Sequence, residues 1–156
     1  MNKTVHNFSA GPSILPDKVF NQASSAVKNF NNSGLSILEI SHRSKDFIEV
    51  IEESRSTALE IAELDNNEYS CLYLQGGASL QFLMTAYNFL NKDAAYINTG
   101  SWSSKAIKEA KMFGKVSEIA SSADKNFNYI PKEYDINDSY DYLHLTSNNT
   151  IFGTQF

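Results

Sequence analysis

Residues 72–80 read Leu-Tyr-Leu-Gln-Gly-Gly-Ala-Ser-Leu. An apolar run stops at Gly76 and Gly77, and a helical pattern starts at Leu80. Glycine lets a chain turn tightly and brings backbone amides within reach of a ligand. The first N–H groups of a helix lack intrahelical partners, so such a loop can hold an anion on backbone dipoles. Ser79 adds a hydroxyl within the first turn, and the combination suits a phosphate monoester. A glycine turn that merely packs a strand against a helix has the same sequence. Two glycines lack the specificity of a full P-loop or dinucleotide fingerprint, so both readings stand on spacing alone.

Other groups sit in comparable places. Gly100-Ser101-Trp102 follows a short apolar run at 94–98, and Trp102 is a flat face for an aromatic ligand or, by default, a core ring. Asn148-Asn149-Thr150 follows the strand-like run 140–146 and by itself reads as a polar turn. His42 and Arg43 stand side by side before a helix. A guanidinium fork binds carboxylate or phosphate in a bidentate way, though a solvated or capping pair looks the same in sequence. His144 alternates within a strand and reads as a packed residue more than as a base, and His6 carries no signal. There is no metal-ligand spacing and no serine–histidine–acid arrangement, which ranks hydrolases low.

The elements that must position these groups follow from periodicity. Val19, Phe20, Ala23, Val27 and Phe30 recur at helical spacing from Pro16, with Gly34 as the expected glycine cap. Ser44 is placed to cap a second helix over 45–64. Residues 69–74 read as a strand, and 80–90 as a helix apolar nearly all round, hence buried on several sides. Strands are expected at 94–98, 115–120 and 140–146, with a helix from Ser101 or Ser103 to about 113 and a polar loop over 121–139. This alternation predicts an α/β layer with a largely parallel sheet. Ligands of such sheets bind at the carboxyl edge, where the glycine loop, Trp102 and Thr150 would all fall. The chain stops ten residues after the last expected strand, which reads as an interrupted architecture.

Composition bounds the rest. The chain has 156 residues, 42% hydrophobic and 20% charged, which is ordinary globular material. Eighteen acidic against 13 basic residues, net −5, argue against a nucleic-acid partner. Cys71 is the single cysteine and cannot form an internal disulfide, which fits a reducing, cytoplasmic setting. Neither a signal peptide nor a membrane-spanning run is expected.

Five motifs occur in one order: "NFSAGPSILP" at 7–16, "EISHRSKDF" at 39–47, "QGGAS" at 75–79, "TGSWSSKAIKEAK" at 99–111 and "SNNTIFGTQ" at 147–155. Together they resemble the N-terminal part of the phosphoserine aminotransferases, fold-type I pyridoxal-phosphate enzymes of the class V group. The resemblance covers essentially the whole chain. It implies a 1–15 arm and, over 16–156, an incomplete fold-type I large domain, a mostly parallel sheet flanked by helices. It implies pyridoxal 5'-phosphate as cofactor, with Ala78 and Ser79 at its phosphate, Trp102 stacked on its pyridine ring and Thr150 in contact with it. His42 and Arg43 match the family's substrate-anion site, which in a homodimer serves the neighbouring active site. The implied reaction moves the amino group of glutamate to 3-phosphohydroxypyruvate, giving phosphoserine and 2-oxoglutarate for serine synthesis, with a related role in pyridoxine synthesis on a similar phosphorylated hydroxy-amino acid.

Two departures matter. Some family members carry Gly-Arg where this chain has Ala78-Ser79, so phosphate binding here is expected to rest on amides and a hydroxyl. The family's Schiff-base lysine and the aspartate that pairs with the pyridine nitrogen match positions beyond Phe156, so no catalytic residue is expected in these 156 residues and the chain alone is expected to be inactive. The alternatives are a non-catalytic phosphometabolite-binding module and another class V enzyme, such as a cysteine desulfurase or alanine–glyoxylate type.

Overall fold

A computed structural model of the chain describes residues 5–137 and 139–156. Its contacts divide the chain into two units, 1–73 and 74–156. Part of the 1–15 arm, residues 1–4, lies outside the described residues.

In the first unit, α1 (Asp17–Lys28) begins directly after Pro16, whose fixed φ of −59° suits a helix start. It ends at Asn29 in extended geometry, earlier than the expected glycine cap. A 3-10 turn, Phe30–Asn32, follows, and Gly34 with φ +80° closes that turn, not the helix. The turn is pinned by the N–H of Phe30 donating to the carbonyl of Leu35 at 2.7 Å. Helix α2 (Lys45–Ile61) starts where the capping argument places it: the Ser44 hydroxyl accepts from the N–H of Phe47 at 3.4 Å. It is three residues shorter than expected, and Glu63, with φ +55°, turns the chain away. Among the described residues of this unit, Phe30 and Leu59 are the buried apolar ones.

The expected strand at 69–74 does not form. Among the described residues no segment pairs with it, and Leu72, Tyr73 and Leu74 are all exposed, so nothing there holds the backbone in a ladder.

The second unit is α/β, with helices flanking a three-stranded parallel sheet. Helix α3 (Gly77–Phe89) leads into β1 (Asp93–Asn98), then α4 (Ser101–Ala110), β2 (Lys115–Ser121) and, after a long loop, β3 (Leu143–His144). The sheet order is β2-β1-β3 with both pairings parallel, so β1 is central. Residues 94–98 are buried through both faces, as a central parallel strand requires. Ala86, Ala94, Tyr96, Ala106, Ile107 and Ala110 form the core, with Phe82, Leu90, Val116 and Tyr142 packed on it. The small residues let α3 and α4 come close to the sheet.

The structure corrects three expectations for this unit. Helix α3 buries only Ala86 along its length, while Tyr87 and Phe89 face out, so its apolar surround is not enclosed by these residues. The strand expected over 140–146 contributes only Leu143 and His144 to the ladder, although the carbonyl of Tyr142 still accepts from Ala95 N–H at 3.0 Å. The tail is not plain loop either: β4 (Asn148–Asn149) and β5 (Thr154–Gln155) pair antiparallel.

What holds the base of β3 was invisible locally. One carboxylate oxygen of Asp141 accepts from the N–H groups of Asn91 (2.8 Å), Lys92 (2.6 Å) and Asp93 (3.2 Å). Those amides, Lys92 first, hold its carboxyl below the usual carboxylate range.

Candidate functional site

The carboxyl ends of β1 and β3 open on one edge of the sheet, beside the first turn of α3. A cavity of about 410 Å³ lies there, lined by Ala78, Ser79, Phe82, Trp102, His144 and residues 145–148. Three chain segments meet in it: the glycine loop, the start of α4 and the stretch after β3.

Each wall has a local cause. Gly76 has φ +97°, and a Cβ there would stand 2.2 Å from the Leu80 side chain. The position therefore demands glycine for conformation and for packing at once. Gly76 serves as the N-cap of α3 and has no side chain to satisfy the first amides, which leaves them for another acceptor. Ala78 and Ser79 occupy that first turn.

Trp102 lies in the first turn of α4 and is 38% exposed, so it is not the core aromatic that a lone Trp suggests. Its indole N–H donates to the hydroxyl of Thr150 at 3.1 Å. The β4–β5 hairpin that carries Thr150 is tied to the end of β1. Thr99 Oγ1 donates to Asn149 Oδ1 at 3.3 Å, and Asn149 Nδ2 donates to Thr154 Oγ1 at 3.1 Å. Ser103 folds back from α4 so that its hydroxyl accepts from the N–H groups of Thr99 (2.8 Å) and Gly100 (2.9 Å). A Cβ at Gly100 would meet the Phe152 ring at 2.9 Å and Asn149 Oδ1 at 3.1 Å, so the hairpin can only seat against a glycine.

His144 is packed, as its alternation suggests, but it also faces the cavity. Its ring stacks on Tyr96 at 4.8 Å between centroids and meets Phe82 edge-on at 6.0 Å. Burial pushes its imidazole below the ordinary value of 6.5, so it is neutral near pH 7. Among the described residues, neither its Nε2 nor the Thr146 hydroxyl, both buried, has a hydrogen-bond partner.

Ala78, Ser79, Trp102 and Thr150 are thus brought together. His42 and Arg43 belong to the first unit, exposed on the turn before α2, where the Arg43 N–H donates to the Ser41 hydroxyl at 3.1 Å. Sequence reasoning missed Asn149 as the anchor of the hairpin, the position of His144 at the cavity, and Lys105. The Lys105 ammonium donates to the Ser79 hydroxyl at 3.0 Å. The i, i+3 spacing of Trp102 and Lys105 on a helix was the one signal that could have drawn attention to it.

A larger cavity of about 570 Å³ lies in the first unit between α2 and residues 66–72. It holds none of the candidate cofactor- or substrate-binding residues, and its cation, Arg55, is engaged by Glu52 at 2.5 Å. Size does not mark the chemistry here. Among the described residues no group of three or more His, Cys, Asp or Glu could hold a metal, and no helix is long and apolar enough to cross a membrane.

Known proteins are similar to this chain in sequence and fold. Phosphoserine aminotransferase of Flavobacterium johnsoniae is 60% identical over 152 residues, which cover 96% of this chain and 43% of that protein. The enzyme of Bacteroides fragilis is 56% identical over 150 residues, at 96% and 42% coverage. Among solved structures, phosphoserine aminotransferase from Bacillus circulans subsp. alkalophilus superposes with a TM-score of 0.87 at 43% identity, covering 96% of this chain and 42% of that one. A PLP-bound phosphoserine aminotransferase from Trichomonas vaginalis gives a TM-score of 0.84 at 32% identity, with 97% and 44% coverage. The chain spans less than half the length of the curated relatives it matches. The family model described as aminotransferase class-V matches residues 5–156. The chain belongs to the class-V aminotransferase family.

Proposed function

We propose that these residues carry the cofactor-phosphate wall of a phosphoserine aminotransferase, which transfers the amino group of glutamate to 3-phosphohydroxypyruvate. The observation that carries this reading is the 410 Å³ cavity in which the uncapped turn of α3, the exposed indole of Trp102 and unpartnered polar atoms of His144 and Thr146 converge. A phosphorylated pyridine fits that donor set: amides for the phosphate, an aromatic face for the ring. Pyridoxal 5'-phosphate, when bound, supplies an electron sink for bonds at the α-carbon of an amino acid.

In this reading the amides of Ala78 and Ser79, with the Ser79 hydroxyl, hold the phosphate. Trp102 covers one face of the ring and excludes water from it. Thr150 accepts the indole N–H and so sets the plane of that face. Arg43, with His42, holds a substrate anion, and the homodimer expected of the family places that pair at the neighbouring subunit's site. Residues 16–156 form part of the cofactor domain of a longer protein, in the cytoplasm, whose Schiff-base lysine matches a position beyond Phe156. Transamination is therefore proposed for that longer protein, and not for these 156 residues alone. The relatives' shared name favours this branch over other class V chemistries.

The test is glutamate-dependent formation of phosphoserine by the full-length protein, with Trp102→Ala and Arg43→Ala beside it. Trp102→Ala should weaken cofactor binding, and Arg43→Ala should raise KM for the phosphorylated substrate. Turnover with another amino donor or acceptor, and none with this pair, would move the assignment to another class V reaction. Saturable binding of phosphorylated ligands without turnover would favour a binding module.

A further inference from the structure

We infer that Lys105 is a further cofactor-phosphate residue, acting both as a local positive charge and through the hydroxyl of Ser79. The inference rests on the cofactor-phosphate reading of Ala78 and Ser79 and deepens it. Arginine is absent from this loop, which left the phosphate to amides and a hydroxyl. The structure brings a cation to the same spot from another element. Lys105 lies on α4, three residues after Trp102 and so on the same helix face, and its ammonium reaches across to α3 to donate to Ser79 Oγ at 3.0 Å.

The chemistry of the hydroxyl makes this contact more than a surface bridge. Serine Oγ has one O–H donor and two acceptor lone pairs. With a lone pair occupied by the ammonium, the O–H proton is turned away from Lys105 and is left to donate. A phosphate oxygen at the start of α3 is the acceptor that such a donor suits. The positive charge behind Oγ polarises that O–H and strengthens the bond it makes. Among the described residues, no carboxylate lies within 4.0 Å of the Lys105 Nζ, so its charge is not neutralised by an ion pair. It also has donors left to meet the phosphate directly. Lys105 thus does for this loop what a loop arginine does elsewhere, from a position 26 residues further along the chain.

The test compares pyridoxal 5'-phosphate with pyridoxal, which lacks the phosphate, by equilibrium dialysis against the full-length protein. Lys105→Met should weaken binding of the phosphorylated form about tenfold, the loss of one charge-assisted interaction, and leave pyridoxal unchanged. Lys105→Arg should restore most of the difference. Lys105→Met and Ser79→Ala combined should cost less than the sum of the two, because they remove one relay. Lys105 is exposed at the surface of α4, so folding should survive, and far-UV circular dichroism checks it. A Lys105→Met protein with the wild-type preference for the phosphorylated form would overturn the inference. Fully additive losses would overturn the part played through Ser79. If the wild-type protein itself showed no preference, the cradle reading would fail, and this inference with it.

Discussion

Ile61, at the end of α2, is 79% exposed, whereas Ile97, in the middle of β1, is fully buried. The contrast holds for the two units that contain them. Residues 5–73 form two regular helices and bury Phe30 and Leu59, but leave Phe8, Leu38 and Ile61 largely exposed. Residues 74–156 close on a central strand whose residues 94–97 are buried to within 1%. In the first unit the helices are made by local signals: Pro16, the Ser44 cap, apolar spacing. In the second, a strand is made by its neighbours, and the same ladder aligns the two strand ends that border the cavity. The site therefore depends on the region whose order is least local.

Substitutions can break that contrast, and the core offers the largest effect. Ile97→Ala should destabilise by about 2–5 kcal/mol in urea unfolding, through lost burial and the cavity left behind. Ile61→Ala should stay within about 0.5 kcal/mol. Equal costs at the two positions would mean that the exposed face of α2 is covered in the protein as it occurs. Gly76→Ala comes next, at about 1–3 kcal/mol, because a methyl group would strike Leu80 where φ is already positive. The same change should loosen cofactor-phosphate binding, since α3 can relieve the clash only by shifting its first turn. A stability loss without a binding change would separate the packing role of Gly76 from the cradle.

Smaller effects sharpen the comparison. Ser44→Ala should cost about 0.5–1 kcal/mol, near the low end for caps, given the 3.4 Å bond it removes. That loss should appear in helical signal from the first unit and leave binding at the cavity alone. Asp141→Asn probes the second unit by pH. The folded carboxyl sits below its ordinary value of 3.8, so its stabilising contribution is present above that value and fades as pH falls through the folded one. The stability gap between wild type and Asp141→Asn should accordingly close on acidification below about pH 3.8 in chemical unfolding. A gap that widened on acidification would contradict the amide cluster as its cause.

Much of the architecture was legible because it is written at short range. The spacing of Ser44 from Phe47, the apolar block 94–98 flanked by Gly100, and Lys115 after a helix all announce elements that the structure contains. The strand expected at 69–74 failed for the complementary reason: its β-like residues are real, but a strand exists only with a partner. Asn148 and Asn149 erred the other way, since two polar residues with no strand signal pair with Thr154 and Gln155 once Asn149 is anchored to Thr99.

By itself the sequence determined the alternation of helices and strands, the family to which the ordered motifs point, and the residue types suited to a phosphate and an aromatic ring. Hydrophobic period, glycine conformation and capping act within a few residues, so they survive reading in one dimension. The tertiary structure alone decided that Thr150 accepts from Trp102, that Asp141 gathers three amides from the start of β1, and that Lys105 backs Ser79. These partners are separated by 48, by 48 to 50 and by 26 residues respectively. Nothing in local periodicity encodes them; they exist because the parallel ladder and the helices packed on it bring distant segments side by side.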